Sequence, residues 1–156
     1  MGTNYYFRKK TVDPVSIEAI TDSLNNDFKA LVEKYNKNLR EAFSAMDLDS
    51  TCEFDDSHTF FLPDSRDTYG DIHVGKLSGG WKPLLQANEY FHSIQTLKQW
   101  YEQNKHDYNF IDEYDEIVQF DDFIREIAER NQNDDLEDHK HSKDSEGYDW
   151  THTQFS

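Results

Sequence analysis

The chain is predicted to be an α+β domain: a small antiparallel sheet with a long N-terminal amphipathic helix and two shorter helices. Three observations predict it. Short aromatic and β-branched segments are separated by turn residues, with Gly79-Gly80 placed to close a hairpin. One apolar stripe keeps an eleven-residue period through the first third of the chain. Two later stretches carry helix-cap residues ahead of apolar positions at helical spacing.

The first strand is expected over Asn4–Arg8, where Tyr5, Tyr6 and Phe7 suit a pleated, half-buried surface. Asp13-Pro14 then supplies an N-cap and a proline at the first helical position. From there Ile17, Ile20, Leu24, Phe28, Leu31, Tyr35, Leu39, Ala42 and Met46 recur at spacings of 3, 4 and 4, which predicts a nearly straight helix over 14–46. A rod of that length, about 50 Å, either projects and pairs with another helix, lies across the sheet, or breaks near Asn25-Asn26. Residues 47–68 read as an acidic loop. Its Asp47-x-Asp49-x-Thr51-x-Glu53 spacing fails as a calcium loop, because Cys52 and His58 stand where glycine and a bidentate Glu are needed.

Residues 71–77 and 81–86 form the expected hairpin, with a bulge at Gly75-Lys76 to bring Ile72, Val74 and Leu77 onto one face. Ser93 caps a helix to about Asn104 that turns Ile94, Leu97 and Trp100 or Tyr101 inward. Phe110-Ile111 and Ile117-Val118 read as short strands. Asp121 is expected to cap a helix to Arg130 with Ile124, Ile127 and Ala128 inward. The domain plan is thus one α+β domain over 1–130, a mobile acidic linker over 131–147, and a docked C-terminal strand over 148–156. The linker contains one apolar side chain, Leu136, and the last segment contains Tyr148, Trp150 and Phe155.

Charge narrows the function classes. The net charge is −16 over 156 residues, and it divides as −1 over residues 1–50, −3 over 51–106 and −12 over 107–156. Such a field repels nucleic acid and anionic membranes and attracts basic protein surfaces. No run approaches a membrane span, the start lacks the apolar core of a secretion signal, and Cys52 is the only cysteine, so an intracellular protein without an internal disulfide is expected.

Two candidate sites emerge. In the hairpin, His73, Lys76 and Ser78 with three glycines supply parts of a phosphate cradle, and Trp81 offers a ring; the same residues also read as a bulged hairpin with a core tryptophan. A Walker loop is excluded, because the upstream glycine is absent and Pro83 follows where a helix should begin. In the second site Asp112, Glu113, Asp115, Glu116, Asp121 and Asp122 alternate with Tyr114 and Phe120. That is a composition suited to a partner-binding surface or to imitation of a phosphate row, or equally to a solvated face. Cys52, His58, His73 and the His139-x-His141 pair lack metal-ligand spacing, and no catalytic residues, cofactor or metal are expected.

The opening Met1-Gly2-Thr3-Asn4-Tyr5-Tyr6, the block Ile72-His73-Val74-Gly75-Lys76-x-Ser78-x-Gly80-Trp81, Trp100, the Ile111-Asp112-Glu113-Tyr114 turn and the closing Phe155-Ser156 resemble a group of small tailed-bacteriophage proteins of unassigned function. The resemblance implies a phage origin and expression in the host bacterial cytoplasm. Members of that group often carry a Cys-x-x-Cys zinc knuckle before the block, and here Cys52 stands alone, so no metal carries over. The long helix sits where those proteins are short, which implies an added partner surface.

The reading that follows is a non-enzymatic phage accessory protein that binds and inhibits a host macromolecule, such as a defence or nucleic-acid-handling enzyme. It would act through an acidic surface that fits a host protein's basic surface and can mimic DNA, with a homodimer through the long helix and no direct nucleic-acid or membrane contact. The alternative is a small-ligand module binding a nucleotide or nucleotide signal through His73, Lys76 and Ser78. A minor virion component is a third option.

Overall fold

The computed structural model describes residues 2–49, 53–62, 69–133 and 142–155, and these contain three helices and a six-stranded sheet. In chain order the elements are β1 (Gly2–Lys9), α1 (Pro14–Ala45), β2 (Ile72–Ser78), β3 (Leu84–Gln86), α2 (Ile94–Asn104), β4 (Tyr108–Asp112), α3 (Phe120–Arg130), β5 (Ser142–Lys143) and β6 (Asp149–Thr151). The sheet order is β4-β1-β2-β3-β6-β5, antiparallel except for the parallel β3–β6 pair. The expected α+β class is what the chain adopts. Residues 2–12 and 69–155 make one compact unit, and the insert from Asp13 makes another.

Alternation along β1 explains the sheet unit. Tyr5 and Phe7 face α2 and α3, and Phe7, fully buried, meets the rings of Trp100 at 4.8 Å, Phe110 at 5.2 Å and Phe120 at 5.8 Å. Phe91, Ile94, Leu97, Phe123, Ile127 and Trp150 complete this core, so rings supply much of the volume that a low aliphatic content leaves wanting. The bulge in β2 lies one residue before the expected position. Tyr5 pairs with Gly75 and Tyr6 with His73, so Val74 is the extra residue and both Val74 and Leu77 reach the core.

Ser93 caps α2 and forms a capping box with Thr96, as its spacing predicts. The α3 start differs from expectation. Gln119 occupies the N-cap with no side-chain bond, while Asp121 and Asp122 lie in the first turn, where negative charge favours the helix dipole. Phe120 and Phe123 join Ile127 inside, and Ala128 is exposed. The expected strand at 117–118 reduces to one bridge, Ile111 to Ile117, and a Val118 N–H bond to Phe110.

The expected linker 131–147 is described only in part. Residues 134–141 lie outside the described residues, but 142–147 form β5 and a turn organised by Asp144. One charge-assisted acceptor offsets the scarcity of apolar groups there. The C-terminal strand docks inside the sheet, between β3 and β5, through β6. Phe155 follows it, and Ser156 is outside the described residues.

In the insert, α1 runs unbroken through Asn25-Asn26, with Asp13 accepting from Val15 N–H at 3.1 Å. The expected stripe is only partly buried. Ile17, Phe28 and Leu39 are sheltered together with Thr21, Asn25, Val32, Asn36 and Phe43, whereas Ile20, Leu24, Leu31, Tyr35 and Met46 are exposed. The reason is the extended strap 53–62 along the helix. Asn36 donates to Phe54 O at 3.0 Å and accepts from Phe54 N–H at 2.6 Å; Asn25 does the same with Phe60 at 3.0 and 2.7 Å. Two asparagines one eleven-residue period apart thus give the strap the hydrogen bonds a neighbouring strand would provide, and they turn the buried face toward themselves.

Candidate functional site

The face of β1 opposite the aromatic core carries Asn4, Tyr6 and Arg8, all buried, and these organise the surroundings of both predicted sites. Glu113 Oε2 accepts from Asn4 Nδ2 at 3.1 Å, which turns Asn4 Oδ1 toward His73 Nε2, also at 3.1 Å. His73 therefore donates from Nε2, and its ring lies 4.9 Å from Tyr6 and 4.7 Å from Phe155. This string of carboxylate, amide and imidazole ties β1, β2 and the turn after β4 to the C-terminal segment.

Two residues further on, Arg8 forks onto Asp71 at 2.8 and 2.6 Å and reaches Asp115 at 2.8 Å, with its guanidinium 4.5 Å over the Tyr69 ring. Burial opposes charge on Arg8, but the bonds and fields of Asp71 and Asp115 outweigh it and raise its affinity for the proton. Asp71 has no exposed side-chain surface, so this pair is held together away from water.

Of the hairpin residues, His73 and Lys76 lie on this polar face by alternation, with Lys76 opposite Asn4. Ser78 contributes its carbonyl, which accepts from Trp81 N–H at 3.2 Å and from Arg130 at 3.2 Å. Trp81 is in the turn and 43 % exposed, so the core alternative for it does not hold. Gly75 has a structural reason: a Cβ there would lie 2.7 Å from Leu84 O, so the residue lets β3 approach. Gly79 and Gly80 open onto solvent, and Gly80 has the positive φ of 79° that the turn needs.

The acidic residues divide into two sets. Asp112 caps the turn, accepting from Tyr114 N–H at 2.8 Å and Glu116 N–H at 3.0 Å. Glu113 and Asp115 are engaged by Asn4 and Arg8. Phe120 is 4 % exposed and stacks on Tyr101 at 3.9 Å, which removes it from any surface. Glu116 and Asp121 are exposed, and Asp122 shares its charge with Arg125 at 2.7 Å. Tyr114 is 73 % exposed and Ile117, expected in a strand, is 67 % exposed. An apolar pair is therefore displayed on a pinned turn among carboxylates. The sequence signal for Ile117 was its place directly after Glu116, outside any continuous alternation.

Among the described residues no group of three His, Cys, Asp or Glu side chains is placed to hold a metal; Cys52 and His139 and His141 lie outside them. No helix among the described residues is long and apolar enough to cross a membrane. The fold and this site define an α+β protein with a rigid acidic turn. Comparison with protein-family models, curated proteins and solved structures returned no match.

Proposed function

We propose that this is a binding protein whose 112–117 turn enters an apolar pocket ringed by basic residues on a partner protein. The observation that carries the reading is the display of Tyr114 and Ile117, 73 and 67 % exposed, on a turn whose backbone is fixed by Asp112 and whose Asp115 is anchored to Arg8. An aromatic on a preorganised turn loses little entropy when it docks, the property shared by residues that dominate interface energetics. Glu116 and Asp121 supply a rim of the sign that attracts a basic surface. The resemblance to tailed-phage proteins supplies the setting, a bacterial host's cytoplasm, and the acidic rim supports the proposal that binding inhibits by occupying a basic cleft that otherwise takes nucleic acid. Because Asp112, Glu113 and Asp115 are engaged within the protein, apolar anchoring carries more of this reading than an extended row of charge does.

The test replaces Tyr114 with a photo-crosslinking phenylalanine in a bacterial host extract, identifies the captured protein, and measures its affinity directly. Tyr114→Ala and Ile117→Ser should each weaken binding by at least about tenfold, the loss expected of a central anchor. Raising salt from about 50 to 300 mM should weaken binding further. Affinity that ignores both substitutions and salt overturns the proposal.

A further inference from the structure

Helix α1 has one face covered by the strap and, beside it, an apolar face that the described residues of the insert leave open. Ile20, Leu24, Leu31, Tyr35 and Met46 are 70, 48, 52, 52 and 59 % exposed. With the exposed Ala42 they repeat at spacings of 4 and 7, an eleven-residue period that keeps the stripe straight over about 40 Å of helix. Asp27 and Asn38, also exposed, fill the intervening stripe positions one period apart. A continuous apolar stripe interrupted at regular intervals by single polar residues is the pattern of a helix pair in which those residues set register.

We propose that this stripe pairs with the same stripe of a second copy, antiparallel, about a two-fold axis at the level of Glu33. In that register Ile20 faces Met46 of the second copy, Leu24 faces Ala42 and Leu31 faces Tyr35. Asp27 comes within one residue of the level of Asn38, a carboxamide that can donate to it. Parallel pairing in register would instead set Asp27 against Asp27 in a partly desolvated seam, which is unfavourable. The charges agree with the antiparallel choice. Residues 14–28 hold Glu18, Asp22 and Asp27 and no Lys or Arg, whereas Lys29, Lys34, Lys37 and Arg40 follow against Glu33 and Glu41. Five half-exposed side chains present roughly 500 Å² per copy, so the pair covers on the order of 1,000 Å², the lower end for a specific interface, and the dimer forms in the micromolar range.

Sedimentation velocity of the full chain from about 1 to 200 μM tests this, since micromolar pairing falls within that span. The wild type should show a reversible monomer–dimer equilibrium. Leu31→Glu places a charge beside the two-fold axis and should weaken dimerisation at least about 30-fold with unchanged circular dichroism, because Leu31 is half exposed in the single chain. Asn38→Lys distinguishes the orientations. Antiparallel, it meets Asp27 of the second copy and tightens the dimer about three- to tenfold at low salt; parallel, it meets another lysine and weakens it. A monomer throughout, a dimer indifferent to Leu31→Glu, or weakening by Asn38→Lys would each overturn the proposal.

Discussion

Replacing Asp144 by Asn should destabilise the sheet unit although the residue lies in a stretch whose composition reads as a mobile linker. Asp144 Oδ2 accepts from Ile94 N–H and from the Trp150 indole, both at 2.8 Å, and Oδ1 accepts from Glu146 N–H at 2.9 Å and Tyr148 N–H at 3.0 Å. Ile94 and Trp150 are each 1 % exposed, so water is not at hand to replace the two bonds from them. An asparagine oxygen can keep two of the four donors with weaker, neutral bonds, while its NH₂ group confronts the other two. At about 1 kcal/mol for each bond lost or weakened, the change is roughly 2–4 kcal/mol, or about 6–12 °C in melting temperature. The pH dependence has a definite sign. Burial raises the Asp144 pKa, but the bonds from Ile94, Trp150, Tyr148 and Glu146 outweigh it and hold the carboxyl below the ordinary 3.8 of an aspartate. Its stabilisation is therefore complete above that range and is lost as the pH falls through the lower folded value. Trp81, Trp100 and Trp150 all lie in the sheet unit, so intrinsic fluorescence during heating follows that unit alone. The wild type's advantage over Asp144→Asn should shrink as the pH falls below the ordinary aspartate value. Equal melting temperatures at pH 7 would refute the argument.

Two further outcomes follow from the polar ties. Arg8→Ala should cost about 3–5 kcal/mol by taking the forked guanidinium away from the fully buried Asp71, whereas Arg8→Met with Asp71→Leu should recover much of that in a urea titration followed by tryptophan fluorescence. Asn36→Ala should release the strap locally, raising hydrogen exchange at the Phe54 amide about 5–30-fold for a loss of about 1–2 kcal/mol, while Phe60, held by Asn25, changes less.

The parts of the fold that rest on one-dimensional patterns were legible. The Asp13-Pro14 start of α1, the Ser93 cap of α2 and the alternation of Tyr5 and Phe7 each state their own geometry. What was not legible depends on partners distant in sequence. Nothing local marks Asn25 and Asn36 as the buried edge of α1, since an asparagine at helical spacing looks solvated until an extended segment arrives to bond it in two places. The same holds for Asn4 and Arg8, whose partners Glu113 and Asp71 lie 109 and 63 residues away. The insert was likewise hidden. Because Phe7 pairs with Ile72, the chain leaves and re-enters the sheet at adjacent positions, so a unit of its own fits between β1 and β2 without altering the ladder.

These same ties change how the acidity should be read. Asp71, Asp112, Glu113, Asp115, Asp144 and Asp149 each bond an arginine, a lysine, an amide or backbone N–H groups within the sheet unit. Asp71, Asp115 and Asp149, paired with Arg8 or Lys143, contribute less to an outward field than a count of carboxylates implies, whereas Asp112, Glu113 and Asp144 keep their charge while bonding neutral donors. Glu116 and Asp121 differ, because they are exposed beside a turn that Asp112, Glu113 and Asp115 tie in place. Neutralising a carboxylate that holds the turn, such as Asp115 on Arg8, should therefore impair the proposed partner binding by loosening Tyr114, whereas neutralising Glu116 should lower the salt dependence and leave the turn intact. The carboxylates of the 112–121 region accordingly form two sets, one holding the turn and the other exposed beside it, and on the proposed reading the second sets the sign of the partner surface.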